Sequence, residues 1–276
     1  MKVEPPGALA RTAVGSRGRI VKYQVAIRAS QGARSYQEDA AAVWQPSDAG
    51  AGGSELTRLL VVLADGMGGH AGGAIASDAV CAGFEAQYIE QQGGARQRLK
   101  AALYAANGAI SALVSAQPQL RGMGSTLVGV AFDDDYASWI SVGDSPLYLY
   151  RRGEMARLNE DHSMAPVLDK LVAAGRLTAE EAEDDPRRHM LRSAVVGEDL
   201  ELVDLAQTPW ALQAGDVVVL ASDGIHSIAD IEIARVIAAY RKDGADATAD
   251  ALIAAVGDAG VPHQDNTTVV VVTAGD

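Results

Sequence analysis

The rhythm of hydrophobic and polar positions changes several times along this chain, and each change predicts an element. YQVAIRA (23–29) alternates apolar with polar residues, the period of a half-buried strand, and Ala40–Trp44 predicts a second strand after the turn-like QGARSYQED. Leu59–Ala64 is a solid apolar run of buried-strand length that ends at Asp65. QPSDAGAGGSE (45–55) has the Gly, Ser and Asp content of a surface loop. Residues 74–92 and 95–116 are rich in Ala, Leu, Gln and Arg, with apolar residues recurring at three and four, and predict two helices. Gly93-Gly94 separates them and Pro118 stops the second. Further strands are predicted at Ser125–Phe132, Tyr136–Val142 and Leu147–Tyr150, with the acidic 133–135 as a hairpin turn. Residues 163–190 read as mostly helical and charged. Strands at Val203–Ala206 and Val217–Ala221, helices at Ile231–Arg241 and Ala247–Val256, and a strand at Thr267–Thr273 complete the pattern.

Strands, a helix pair, more strands and more helices form an α+β order. The hairpin-length connections favour antiparallel sheets. No Ser/Pro-rich linker interrupts the middle, so residues 23–276 read as one domain behind a flexible leader, 1–22. That leader carries Pro5-Pro6 where a signal peptide would carry its apolar core. The longest solid apolar run, Leu59–Ala64, falls far short of the ~20 residues of a membrane span, so no membrane partner is expected. Cys81 is the only cysteine. It excludes an internal disulfide, suits a cytoplasmic setting and reads as core filler. The charge of −13, from 23 Lys and Arg against 36 Asp and Glu, argues against a general nucleic-acid binder. It leaves room for a phosphate-handling site, because bound cations invert the local sign.

Acidic residues at strand ends change the picture most. LLVVLADG (59–66) and VVVLASDG (217–224) both end in Asp-Gly. One Asp-Gly is commonly a turn. Two of them behind apolar runs, with Glu38-Asp39, Asp144 and Asp265-Asn266 also at strand edges, call for another reason. Two carboxylates about 4 Å apart repel by roughly 4 kcal/mol at an effective dielectric near 20. Metal binding relieves that repulsion. All the donors are oxygens and no zinc-type Cys/His spacing occurs, which suits Mg²⁺ or Mn²⁺. Two such ions can hold a hydroxide between them and lower its pKa, which is hydrolytic machinery for a phosphate ester.

RSYQED (34–39), ADGMGGHAGG (64–73), GMGST (122–126), VGDSPLYLY (142–150), LNEDHS (158–163), ASDGIHS (221–227) and QDNTTVVVV (264–272) occur in that order. Together they resemble the metal-dependent protein serine/threonine phosphatases of the protein phosphatase 2C (PPM) family, bacterial type. The resemblance spans about residues 23–273 and implies an α-β-β-α sandwich of two antiparallel sheets flanked by helix pairs. It implies that Asp65 bridges two metals, with the Gly66 carbonyl as a further ligand. Asp223 and Asp265 would complete the first ion's shell, Glu38 would serve the second, and Asp39 would hold metal-bound waters. Asp144, with Asp223, matches a third, weaker metal site of bacterial members. Arg34 would grip the substrate phosphate, for which a planar guanidinium is suited. Residues 164–190 correspond to the family's flap, where Arg187, Arg188 and Arg192 would either meet an acidic phosphopeptide or form a solvated charged face.

Two departures are visible. Met67 stands where eukaryotic relatives carry a His proposed as general acid, with His70 nearby. Pro146 replaces the Arg of the usual Gly-Asp-Ser-Arg. His162, Ser163, Gly124, Ser125 and Thr126 carry structural expectations only. The resulting expectation is hydrolysis of phosphoserine and phosphothreonine in proteins by a metal-bridged hydroxide, in a monomer that opposes a Ser/Thr kinase. A regulatory module that docks phosphoproteins without hydrolysing them is an alternative that degenerate ligand positions would favour, and none is degenerate. A nucleic-acid phosphodiesterase is a third, disfavoured by the charge.

Overall fold

In the computed structural model, which describes residues 21–46, 58–68 and 71–275, the chain opens with β1 (Lys22–Ser30), β2 (Asp39–Trp44) and β3 (Arg58–Met67). The helices α1 (Ala71–Glu90) and α2 (Ala95–Ala116) follow. Then come β4 (Gly124–Ser125), β5 (Leu127–Asp133), β6 (Tyr136–Val142), β7 (Leu147–Arg151) and β8 (Glu154–Arg157). The short helices α3 (Ala165–Ala173) and α4 (Ala179–Glu183) lead to β9 (Asp204–Leu205), β10 (Trp210–Ala211) and β11 (Val217–Ala221). The chain closes with α5 (Asp230–Tyr240), α6 (Ala245–Asp258) and β12 (Thr267–Gly275).

Two sheets result, and every strand pair in them is antiparallel. One has the order β1-β12-β11-β7-β8; the other runs β10-β6-β5-β3-β2, with β4 on β3 and β9 on β6. The solid apolar runs follow from burial on both faces. Leu59, Val61 and Leu63 of β3 meet Val218, Leu220, Val270 and Val272 between the sheets. Leu60, Val62 and Ala64 point the other way, onto Phe84 of α1 and Leu99 and Leu103 of α2. On the far side, Val217, Val219, Val269 and Val271 pack against Ile233 and Ile237 of α5 and Leu252 of α6. A strand at the centre of such a sandwich has no polar face, so alternation disappears. The layers are therefore helix pair, sheet, sheet, helix pair, as expected.

Several boundaries differ from expectation. β1 begins at Lys22, one residue inside the expected leader, and Val21 is already buried; residues 1–20 lie outside the described residues. Most of the 45–55 loop and His70 also lie outside them. β3 does not stop at Asp65, because Gly66 and Met67 find backbone partners in Ser125 and Gly124 of β4. Asp223-Gly224 opens a short 3₁₀ turn over Asp223–Ser227. Only α3 and α4 within 163–190 are helical, the latter held by a reciprocal Thr178–Glu181 cap. β8 and β10, at four and two residues, are too short to carry a period. Among the described residues α2 alone is long and apolar enough to cross a membrane by length and composition. Here it buries Leu99, Ala102, Leu103, Ala106 and Ile110 in the core. Cys81 is buried, and loss of solvation pushes its thiol up to about 12, so it serves as inert filler.

Leu220 lies fully buried between the sheets, beside the strand end that carries Asp223. Leu220→Ala should cost about 2–5 kcal/mol in chemical denaturation with an unchanged m-value. A cost below about 1 kcal/mol would mean that the inter-sheet core does not hold the layers together.

Candidate metal centre

Strand ends and turns from both sheets meet at one end of the sandwich. Asp39 opens β2, and the register sets it directly opposite Asp65 of β3. Like charges facing across a ladder oppose the pairing. From the other sheet, Asp223 follows β11 and Asp265 precedes β12. Asp144 sits in the turn between β6 and β7. An open cavity of about 570 Å³ is lined by Arg34, Glu38, Asp65, Gly66, Asp144, Asp223 and Asp265. Seven of the eight residues singled out in the sequence thus share one cavity. The eighth, Asp39, does not line it but pairs across the ladder with Asp65, and its Oδ2 accepts the Ser222 hydroxyl at 2.8 Å.

Electrostatic frustration dominates this cluster. Burial, then the charges of Asp223, Asp39 and Asp144, raise Asp65 well above the ordinary carboxylate range. Asp39 is pushed up to about 6, mainly by burial, against the lowering effect of its hydrogen bonds from Ser222 and Thr268. Asp144 rises to about 7 through burial and the charges of Asp223 and Asp161. Asp223 is raised by burial and by Asp265, while His189 and Arg34 pull it back. Arg34 forms an ion pair with Asp265 and approaches Glu38 Oε2 at 4.0 Å. Among the described residues, no three acidic or histidine side chains close around a single point as a complete ligand shell would. Asp265 is instead paired with Arg34.

The residues nevertheless fit a group of divalent cations. Glu38 Oε1 and Asp39 Oδ1 are buried and have no hydrogen-bond partner. Orphaned buried oxygens are costly, and carboxylates beside other carboxylates need positive charge. Every donor at the cavity floor is an oxygen, the chemistry of a hard ion.

The scaffold explains how the acids stay gathered. The Asp65 N–H donates to Thr126 Oγ1 at 3.0 Å, and its carbonyl accepts the Ser125 hydroxyl at 2.9 Å. Asn266 clamps the Arg34–Glu38 loop: its Oδ1 accepts the Glu38 N–H at 2.8 Å, and its Nδ2 donates to the carbonyls of Gln31 and Tyr36. Gly66 and Gly73 permit a close approach. A methyl at Gly73 would overlap Glu38 Oε1 and lie 3.0 Å from the Gly66 carbonyl oxygen. The first turn of α1 therefore rests directly on two candidate ligands.

Sequence patterns did not single out Ser222 and Asn266 as contributors, although each adjoins a candidate Asp. His189, Met190 and Arg192 also line the cavity. His189 carried no signal within its charged surroundings. Of the three flap arginines, Arg187 is committed to Asp185 at 2.7 Å, and Arg188 to Asp169 and Glu183 at 2.9 and 3.3 Å. Only Arg192 faces the cavity. Met67 lines it too, while the Pro146 carbonyl accepts the Ala221 N–H at 3.1 Å. His162 is buried, and its Nδ1 accepts the Gly143 N–H at 3.2 Å, in keeping with a structural role.

The chain belongs to the protein phosphatase 2C family, whose model matches residues 37–264. Over 167 residues it is 38% identical to the serine/threonine protein phosphatase PstP of Mycobacterium tuberculosis, covering 60% of this chain and 31% of that protein. The chain thus spans about a third of the length of that relative. It is 33% identical over 172 residues to the protein phosphatase PhpP of Streptococcus pneumoniae, covering 61% of this chain and 68% of that one. A crystal structure of the PstP catalytic domain in complex with two manganese ions superimposes with a TM-score of 0.73 at 32% identity, over 93% of this chain and 100% of that one.

Raised carboxylate pKa values carry a definite sign. A folded-state pKa above the unfolded value makes protons stabilising, so this contribution is present at low pH and lost as pH rises through the folded values. For Asp39 and Asp144 those values are about 6 and 7. In chelator, the melting temperature should therefore fall between pH 5 and pH 8, and a millimolar divalent cation should flatten the fall. Equal melting temperatures at the two pH values in chelator would contradict the described electrostatics.

Proposed function

We propose that this chain is a divalent-cation-dependent protein serine/threonine phosphatase that hydrolyses phosphoserine and phosphothreonine. One observation carries the reading: Glu38, Asp65, Asp144, Asp223 and Asp265 converge on one open cavity that Arg34 also lines. Asp65 and the Gly66 carbonyl, with Asp223, Asp265 and Glu38, would hold two ions, and Asp144 with Asp223 a third. Manganese or magnesium suits these oxygens, and the manganese in PstP supports that choice. Divalent cations held there would lower the pKa of water and offset the charge of a phosphoryl group.

The chain's own residues supply the rest. Arg34 is half-exposed and poised to exchange Asp265 for two phosphoryl oxygens, which its planar fork fits. That exchange brings the guanidinium to bear where charge develops on the reacting group. Asp39 Oδ1 has no partner and is placed to hold a proton from water. Met67 carries no transferable proton, so the leaving oxygen takes its proton from water or from another group, not from this position. Cys81 is buried and protonated, which gives no support to a cysteine nucleophile. We further place the protein in the cytoplasm as a monomer whose substrates are phosphorylated proteins made by a Ser/Thr kinase. The lone reduced cysteine and the bacterial relatives support that placement.

Asp65→Asn should reduce Mn²⁺-dependent hydrolysis of a small aryl phosphate to background while circular dichroism stays native. Undiminished turnover in the folded variant would remove the proposal. A pair of glycine variants tests the ligand set more finely. Gly72→Ala meets only Met123 Cβ, at 3.7 Å, whereas Gly73→Ala drives a methyl into the Glu38 carboxylate. Both raise helix propensity by up to about 1 kcal/mol. Calorimetric titration should find unchanged Mn²⁺ affinity for Gly72→Ala and a loss of about tenfold or more for Gly73→Ala. Equal affinities would show that Glu38 and Gly66 do not contribute.

A further inference from the structure

Thr126 stands where two acid-bearing segments of the cavity meet. Its backbone N–H donates to the Asp65 carbonyl at 2.9 Å, and its Oγ1 accepts the Asp65 N–H at 3.0 Å. The same Oγ1 lies 2.8 Å from Ser145 Oγ, so one hydroxyl donates to the other. Ser145 directly follows Asp144. Its carbonyl accepts Asn159 Nδ2 at 2.9 Å, and the Asp144 carbonyl accepts Arg157 Nη2 at 2.6 Å. Both hydroxyl-bearing residues are almost wholly buried, at 3% and 1% exposure, so water does not compete for the bond.

The turn is shaped to reach Thr126. Gly143 has φ of +106°, and a Cβ there would lie 2.7 Å from Thr126 Cβ and Cγ2. Only a glycine lets the Asp144 turn lie flat against Thr126. Among the described residues, the Thr126–Ser145 contact is the one side-chain hydrogen bond joining the Ser125–Thr126 segment, which cradles Asp65, to the turn that carries Asp144. Asp65 and Asp144 line the same cavity, and the charge of Asp144 helps raise Asp65.

We propose that Thr126 and Ser145 are positioning residues: their hydroxyl bond locks the Asp65 strand end to the Asp144 turn, so that the two carboxylates meet divalent cations as one rigid unit. The inference rests on the metal-centre reading above. Thr126 borders the cavity, yet its Oγ1 is taken up by the Asp65 N–H and the Ser145 hydroxyl. Each hydroxyl acts by fixing the backbone from which a carboxylate projects. A break in the link frees the Asp144 turn to move relative to Asp65, so ion affinity falls at a carboxylate that the altered residue does not contact.

A double-mutant cycle on the metal-stripped full chain tests this. Mn²⁺ binding is measured by isothermal titration calorimetry for the wild type, Thr126→Val, Ser145→Ala, the double variant and Thr126→Ser. Unfolding is followed separately in chelator. Ser145→Ala is the mild arm, because it removes one oxygen and leaves Thr126 to accept the Asp65 N–H. Each hydroxyl deletion should weaken Mn²⁺ binding about tenfold. The double variant should be no weaker than the worse single one, because both remove the same link. Thr126→Ser, which keeps the hydroxyl, should restore affinity to within about threefold of wild type. If the wild type binds no Mn²⁺, the metal-centre reading itself fails. If the wild type binds and the losses add independently, or the variants melt earlier yet bind Mn²⁺ as tightly as wild type, this inference alone fails.

Discussion

Repulsion among carboxylates gathered at the ends of buried strands is the constraint on which this structure turns. Asp39 and Asp65 face each other across a ladder, Asp223 sits against both, and Asp144 closes from the β6–β7 turn. Nothing in the hydrophobic layers requires those charges. The sandwich stabilises the arrangement by covering both faces of each central strand, leaving its ends as the place where polar backbone and side chains must find partners. Hydroxyls and amides from Ser125, Thr126, Ser222 and Asn266 hold the acids in place. They do not neutralise them. Arg34 offsets part of the charge, and protons or cations must supply the remainder.

The outline of this arrangement is legible in the residues alone. LLVVLADG and VVVLASDG show buried strands ending in acid, and such an ending has few physical explanations. The helix pairs are legible for the same reason, since Ala-rich segments with apolar residues at three and four leave one reading. Elements without a period are not legible: β8 and β10 are defined by the neighbours they pair with. The continuation of β3 through Asp65-Gly66 is likewise invisible, because it depends on β4 arriving from more than fifty residues away. The candidate ligands could be listed from their chemistry. Of the residues that aim them, Ser125 and Thr126 stand out only as a structural motif, and the roles of Ser222 and Asn266 depend on what they touch in three dimensions.

The flap shows how far composition can mislead. Three arginines in six residues suggest a cationic surface, yet two are consumed by Asp185, Asp169 and Glu183 within the flap itself. What remains for the cavity is Arg192 and His189 beside Met190. Local ion pairs therefore set how much positive charge reaches the cavity, and a residue count overstates it.

The facing of Asp39 and Asp65 is fixed by the pairing of Ala41 with Leu63 and Val43 with Val61, whose side chains are held in the inter-sheet core. A slip of one position would place Glu38 or Ala40 across from Asp65 and turn every apolar side chain of β2 to the wrong face. Spacing between acids is thus inherited from oil-like contacts well inside the molecule. Conservative changes among Ala41, Val43, Val61 and Leu63 offer heredity a remote dial on the spacing of these acids, one that leaves each charged group untouched.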